Sequence, residues 1–193
     1  MPVPSTTTFT TRPLWGGAMS AAVPSEYMDA SDVRQIPDNQ EVYLALDSAV
    51  SVVMDILEPP EVDEPAKAHF EQLAEDNGSV ASQVCRLEAL SPERVTPHLP
   101  ANEVKVWGLV GTQEVNKFNS TTRDTLTLSM LVIRLEKVDA DLLLTVNDPT
   151  GEVSSLSLGH RSDGEEGRGM DWLGSILPST AASLCVHDWS LFG

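Results

Sequence analysis

Residues Asp141 to Pro149 read DLLLTVNDP. The run Leu142-Leu143-Leu144-Thr145-Val146 has no polar–apolar alternation, so a strand here is apolar on both sides and needs cover on both. That puts it centrally in a sheet, with helices on each face. Just before it, Leu126, Leu128, Met130 and Val132 alternate with Thr125, Thr127, Ser129 and Leu131. Side chains alternate across a strand, so Thr125 to Leu135 has one apolar face and one mixed face. Two more strands are expected, from Val80 to Leu90 and from Val104 to Val115.

Further out, Val42 to Leu46 and Ser51 to Leu57 read as an antiparallel hairpin turning at Asp47–Ser48. Pro59-Pro60 stops it. Asp63 to Asn77 reads as a helix. Pro65 suits a first turn, Asp63 and Glu64 favour its positive end, and Gly78 can close it. Ala66, Phe70, Leu73 and Ala74 form the stripe that would pack on the sheet. A second main helix is expected from Asp171 to Leu184, with Pro178 kinking or dividing it. Cys185 to Phe192 should dock back on the fold, because Val186, Trp189, Leu191 and Phe192 need burial. The Gly-, Ser- and charge-rich stretch 149–169 reads as a mobile loop. Hairpins, a central apolar strand and two main helices together make an α+β domain.

At the other end, residues 1–11 are Thr-, Ser- and Pro-rich and read as a disordered tail. Residues 12–193 then form one domain. Gly16-Gly17 suggests a bend before a strand from Ala18 to Val23. Asp29 or Ser31 can cap a single helical turn through Val33. Pro37-Asp38-Asn39 reads as a turn, since proline fixes φ and Asx side chains bond back to the backbone.

Charge narrows the function. The chain carries 29 acidic and 12 basic residues, a formal charge of −17. Eleven acids but only one base, Arg34, lie from Glu26 to Glu64, so −11 + 1 = −10 of that charge falls there. Such a field disfavours nucleic acid and anionic membrane surfaces and favours a basic protein partner. Cys85 and Cys185 are far apart in apolar contexts and read as two buried free thiols. No apolar leader or span-length run is visible, which implies a soluble cytosolic or nuclear chain.

Catalytic patterns are missing. The histidines His69, His98, His160 and His187 lack metal-ligand spacing, and no GxSxG elbow or GxxxxGK[ST] loop occurs. His187-Asp188 has the residue types of a hydrolytic triad but nothing in sequence to assemble one. Asp38 and Glu41 read as a charged surface more readily than as an acid/base dyad. No cofactor is expected, and the chain reads as a non-enzyme. What remains is a protein surface from Asp29 to Glu41, where carboxylates surround a few apolar residues.

The run PLWGGAMSAAVPSEYMDASDVRQIPDNQEVYL (13–44), centred on DASDVRQIPDNQEV from Asp29 to Val42, resembles the N-terminal signature of the Ran-binding Mog family, the Ran guanine-nucleotide release factors. DLLLTVNDP and the ending VHDWSLFG (Val186 to Gly193) are similar too. The resemblance implies a curved, mainly antiparallel six-stranded sheet with helices on both faces, an architecture shared with PsbP proteins. It implies binding of the small GTPase Ran, promotion of guanine-nucleotide release, and support of nuclear protein import, in the nucleus and also the cytoplasm. Its acidic patch at the PDxQE turn carries over onto Asp38 and Glu41, within Pro37, Asp38, Asn39, Gln40 and Glu41, with Asp29, Asp32 and Arg34 as neighbours. A monomer is the default. The alternative is a trafficking adaptor for another basic protein; a small-ligand binder is a third reading.

Overall fold

The computed structural model describes residues 7–116, 123–149 and 170–193. The expected loop 149–169, Pro149 excepted, and residues 1–6 of the expected tail lie outside these.

The DLLLTVNDP stretch forms β9 (Ala140–Asp148), and its central position holds. A seven-stranded antiparallel sheet runs in the order β3 (Met28–Asp29), β4 (Gln40–Leu44), β5 (Ser51–Leu57), β9, β8 (Arg123–Leu135), β7 (Val104–Asn116), β6 (Ala81–Leu90). A separate three-stranded sheet pairs β1 (Phe9–Leu14) and β10 (Cys185–Val186) on either side of β2 (Met19–Pro24). The strand count exceeds six because β3 adds two residues at the edge; the class is as expected.

Both faces of β9 are covered. Leu142, Leu144 and Val146 join a core beneath the small sheet, α2 (Pro92–Val95) and α3 (Ile176–Ala182). Leu143 faces the other way, into a smaller core with Ala66 and Phe70 of α1 (Pro65–Asp76). The stripe read from α1 packs as its periodicity demands. Gly111 on β7 makes room for it, since a Cβ there would sit 2.6 Å from the Phe70 ring and 2.8 Å from the Gln83 carbonyl oxygen. Gly111→Ala is therefore expected to destabilise the fold by about 3 kcal/mol, the scale of core overpacking. Chemical denaturation would read this as a lower midpoint at unchanged slope.

Three expectations are corrected. Residues 9–11 are not tail but the start of β1, paired with β2; their polar side chains suit a half-exposed edge strand, which a composition rule mistakes for disorder. Pro178 does not break the last helix. The interruption falls at Gly174, whose φ is 77°, between a 3₁₀ turn (Asp171–Leu173) and α3. Pro178 lies in the first turn of α3, where its missing N–H costs nothing. Cys185 is half-buried on the short strand β10, and Cys85 is exposed because the register of β6 shifts between Val84 and Arg86 and leaves it as the unpaired bulge residue.

Candidate protein-binding site

The acidic stretch wraps the β3–β4 edge. Asp29 ends β3 and caps the 3₁₀ turn Ala30–Asp32, its Oδ1 accepting from the Ser31 N–H at 2.8 Å. The chain then runs exposed through Asp32, Val33, Arg34 and Gln35 to Pro37. Gln40 N–H donates to the Pro37 carbonyl at 2.9 Å and closes the turn that carries Asp38. From there β4 pairs along β5.

The eight candidate residues separate into two groups. Asp32, Arg34, Pro37 and Asp38 are exposed, and among the described residues no side-chain hydrogen bond or ion pair engages the Asp32 or Asp38 carboxylate. Gln35, Ile36, Pro37 and Asp38 line an open depression of about 450 Å3. Val33, earlier in the same stretch, is 64% exposed. This is charge around apolar anchors on an accessible surface.

The other four make hydrogen bonds or strand pairings within the fold, Asn39 while still exposed. Asn39 is tied to β5 twice: its carbonyl accepts from Ile56 N–H at 2.9 Å and its Nδ2 donates to the Ile56 carbonyl at 3.3 Å. Gln40 is half-buried and lies directly opposite Asp55 in register; burial raises the Asp55 carboxyl, and the Gln40 side chain partly opposes that rise. Glu41 points to the opposite face, where its Oε1 accepts from the Trp15 backbone N–H at 2.5 Å. Asp29 caps its own turn. It also sits opposite Tyr43, on the Glu41 face.

These placements move the titrations. Burial raises the Glu41 carboxyl, the Trp15 N–H partly opposes this, and the Asp29 charge adds to the rise. Burial pushes Tyr43 up to about 12, with Glu41 and Asp29 contributing and Arg12 opposing. Arg12 lies 6.0 Å from the Tyr43 ring centroid and donates from Nη2 to the Tyr27 carbonyl at 3.3 Å.

Trp15 and Asp55 escaped the sequence reading. Each had a signal: Trp15 directly precedes Gly16-Gly17, and Asp55 interrupts the apolar strand VVMDIL. Trp15, Gly16 and Gly17 all have positive φ, at 45°, 65° and 94°. For tryptophan this conformation is strained, and such strain persists only when surroundings enforce it. The Glu41 carboxylate is the group that does so. Glu41→Ala is expected to cost about 1–2 kcal/mol by leaving the Trp15 N–H without its acceptor, and Glu41→Gln, which keeps an acceptor oxygen, less than half as much. Thermal unfolding of the two variants side by side checks this. Equal losses would mean that the charge, not the hydrogen bond, holds the turn.

Among the described residues, no triad assembles at His187. Its Nε2 lies 2.7 Å from Ser20 Oγ on the surface, but Asp188 caps the final 3₁₀ turn by accepting from Ser190 N–H instead of orienting the ring. Among the described residues, no three His, Cys, Asp or Glu side chains are placed to hold a metal ion, and no helix is long and apolar enough to cross a membrane.

An antiparallel sheet with α1 on one face, α2, α3 and a small sheet on the other, and an acidic turn at its edge defines the class: an α+β domain of Mog1 architecture. The family model described as Ran-interacting Mog1 protein matches residues 12–149, and the chain belongs to that family. It is 32% identical to the Ran guanine nucleotide release factor of Danio rerio over 94% of this chain and 99% of the fish protein. It is 33% identical to the Ran guanine nucleotide release factor of Homo sapiens, over 94% of this chain and 95% of the human one. The crystal structure of the Saccharomyces cerevisiae Ran-binding protein Mog1p superposes with a TM-score of 0.69 at 24% identity, covering 97% of this chain and all of that one.

Proposed function

We infer that this protein binds the small GTPase Ran and promotes release of its guanine nucleotide, supporting nuclear protein import. Family membership and relatives named as Ran guanine nucleotide release factors support the partner. The observation that carries the site is Asp38: an exposed carboxylate on a turn closed by its own backbone, lining an open depression with Gln35, Ile36 and Pro37. The docking surface comprises Asp32, Arg34, Pro37 and Asp38. Asp29, Asn39, Gln40 and Glu41 complete it from behind.

Charge-assisted hydrogen bonds from Asp38 to basic side chains near the nucleotide site would anchor the complex. Release follows from linkage. A factor that binds nucleotide-free Ran more tightly than loaded Ran lowers nucleotide affinity by the same factor. No covalent step is needed, so the protein acts by binding and not as an enzyme. It acts as a monomer, in the nucleus and cytoplasm, with neither nucleic acid nor membrane as a direct partner.

Release of a fluorescent guanine nucleotide from purified Ran, with and without the protein, tests this reading. Faster release at low salt, weakened at high salt, is the expected result. Unchanged release together with no capture of Ran would redirect the same acidic surface to another basic protein, as in a trafficking adaptor.

A further inference from the structure

Asn77-Gly78 is the chain's one asparagine–glycine pair. Glycine has no side chain to shield its amide nitrogen, so at such a pair an asparagine can cyclise onto its own backbone. Here the pair closes the C-terminus of α1. Asn77 is exposed, with φ −76° and ψ −5°, and Gly78 is left-handed at φ 63°. The Gly78 N–H donates to the Glu75 carbonyl at 2.9 Å and the Ser79 N–H to the Ala74 carbonyl at 2.8 Å, a paired closure of the last turn. The Asn77 side chain ties that turn to β7, its Nδ2 donating to Gln113 Oε1 at 2.9 Å. Gln113 has no exposed surface, and its Nε2 donates to the Phe70 carbonyl at 3.3 Å. A carbonyl only accepts, so Gln113 must turn its nitrogen to Phe70 and its oxygen to Asn77.

Cyclisation joins the Gly78 nitrogen to Asn77 Cγ. The Cγ–Nδ2 bond breaks, and Nδ2 leaves as ammonia with the proton that the Gly78 nitrogen gives up. Water then opens the five-membered imide at either carbonyl, leaving aspartate or isoaspartate. The closed cap obstructs each part of the first step. The ring needs Cβ eclipsed with the Gly78 nitrogen across the Cα–C bond, whereas a ψ of −5° eclipses the Asn77 nitrogen with it. The attacking N–H is bonded to Glu75, and the leaving nitrogen is held by Gln113.

We propose that Asn77 is a deamidation site gated by the α1 cap: the reaction runs when the last turn of α1 lifts from β7, and its product keeps the cap from closing again. An aspartate at 77 sets its carboxylate against Gln113 Oε1, acceptor against acceptor, and strands a buried amide oxygen. It also adds a negative charge after Glu75 and Asp76, at the negative end of a helix whose last turn holds no base. Isoaspartate lengthens the backbone by one methylene inside the cap. The change is therefore one-way, and it is independent of the partner.

The parent and Gln113→Leu are held folded at neutral pH, and aspartate and isoaspartate at 77 are followed by mass spectrometry of the peptide that spans it. The parent unfolded in urea supplies the unprotected rate. The folded parent should react at least about tenfold more slowly than the unfolded chain. Gln113→Leu removes the acceptor and should speed the folded reaction about fivefold, the equivalent of one lost hydrogen bond. If Gln113→Leu does not fold, Ser79→Ala takes its place, because Ser79 Oγ donates to the Glu114 carbonyl of β7 at 3.1 Å and its loss leaves the reacting pair intact. Asn77→Asp, the product itself, should exchange its amides at Gly78 and Ser79 faster than the parent while β7 and β8 stay protected. Equal rates in the folded and unfolded parent, or a folded cap variant no faster than the parent, overturns the gate. Parent-like exchange in Asn77→Asp overturns the one-way step.

Discussion

Asp38→Lys is expected to lower stimulated nucleotide release from Ran by about a hundredfold while leaving the unfolding temperature within about 2 °C of the parent. The two halves of that expectation have one cause. Asp38 is exposed on a turn that its own backbone closes, so neither its carboxylate nor its charge is used internally. A lysine fits the same backbone. At a docked interface the reversal removes an attraction and adds a repulsion, and a swing of about 2.7 kcal/mol corresponds to the hundredfold loss. Joint reversal of Asp38 and Glu41 is a poorer experiment. Glu41→Lys also removes the acceptor that holds Trp15, so a loss of binding would have two causes. An Asp38→Lys variant that releases nucleotide as fast as the parent would move the interface away from this turn.

Much of the architecture was legible because it rests on periodicity. The two-sided apolar character of β9 required cover on both faces, and the core residues on its two sides supply it. The β4–β5 hairpin and α1 follow from alternation and from a 3.6-residue stripe. What escaped depends on pairing at a distance. Thr10 and Thr11 look like tail residues until Val23 and Ala22 lie opposite them. The break near the last helix was assigned to Pro178, the stronger local breaker, yet it falls at Gly174, where a positive φ turns the chain. Cys85 lies in an apolar-looking strand, and only the bulge turns it outward.

The candidate site was legible as a stretch but not as a division of labour. Acidic density and a PDNQE turn point to the proposed surface. They do not tell which carboxylate faces a partner. That is decided by Trp15, Asp55 and Ile56, which approach Glu41, Gln40 and Asn39 from 26, 15 and 17 residues away. Adjacent residues of β4 face opposite sides of the sheet, so Gln40 and Glu41 cannot serve one surface with both side chains. A motif that appears continuous in sequence is interrupted in space.

Asp141→Ala is expected to cost about 4 kcal/mol of unfolding free energy, the largest stability loss among these variants. Asp141 has no exposed surface, and its two oxygens take Arg134 in a forked pair and His69 from α1. Removing it leaves the Arg134 guanidinium, itself largely buried and stacked toward Trp107 at 5.7 Å, without its counter-charge. It also unlatches α1 from β9. Replacing both partners, in Arg134→Met/Asp141→Leu, should recover more than half of the loss, because an apolar pair avoids the desolvation that a lone charge suffers. The pH dependence has a definite sign. Burial raises the Asp141 carboxyl, but the hydrogen bonds from His69 and Arg134 outweigh it, and the net shift is downward. A carboxylate lowered on folding stabilises above its unfolded pKa, about 3.9, and that stabilisation is lost as pH falls through the lower folded value. Glu41 and Asp55 are raised. They oppose folding at neutral pH, and that opposition is relieved as pH falls through their raised folded values. Urea midpoints taken downward from pH 7 should therefore fall less steeply at first and then drop below about pH 4, and Asp141→Ala should lack its share of that late drop. A variant as stable as the parent, with the same acid limb, would show that the Arg134–Asp141–His69 cluster does not hold α1 to the sheet.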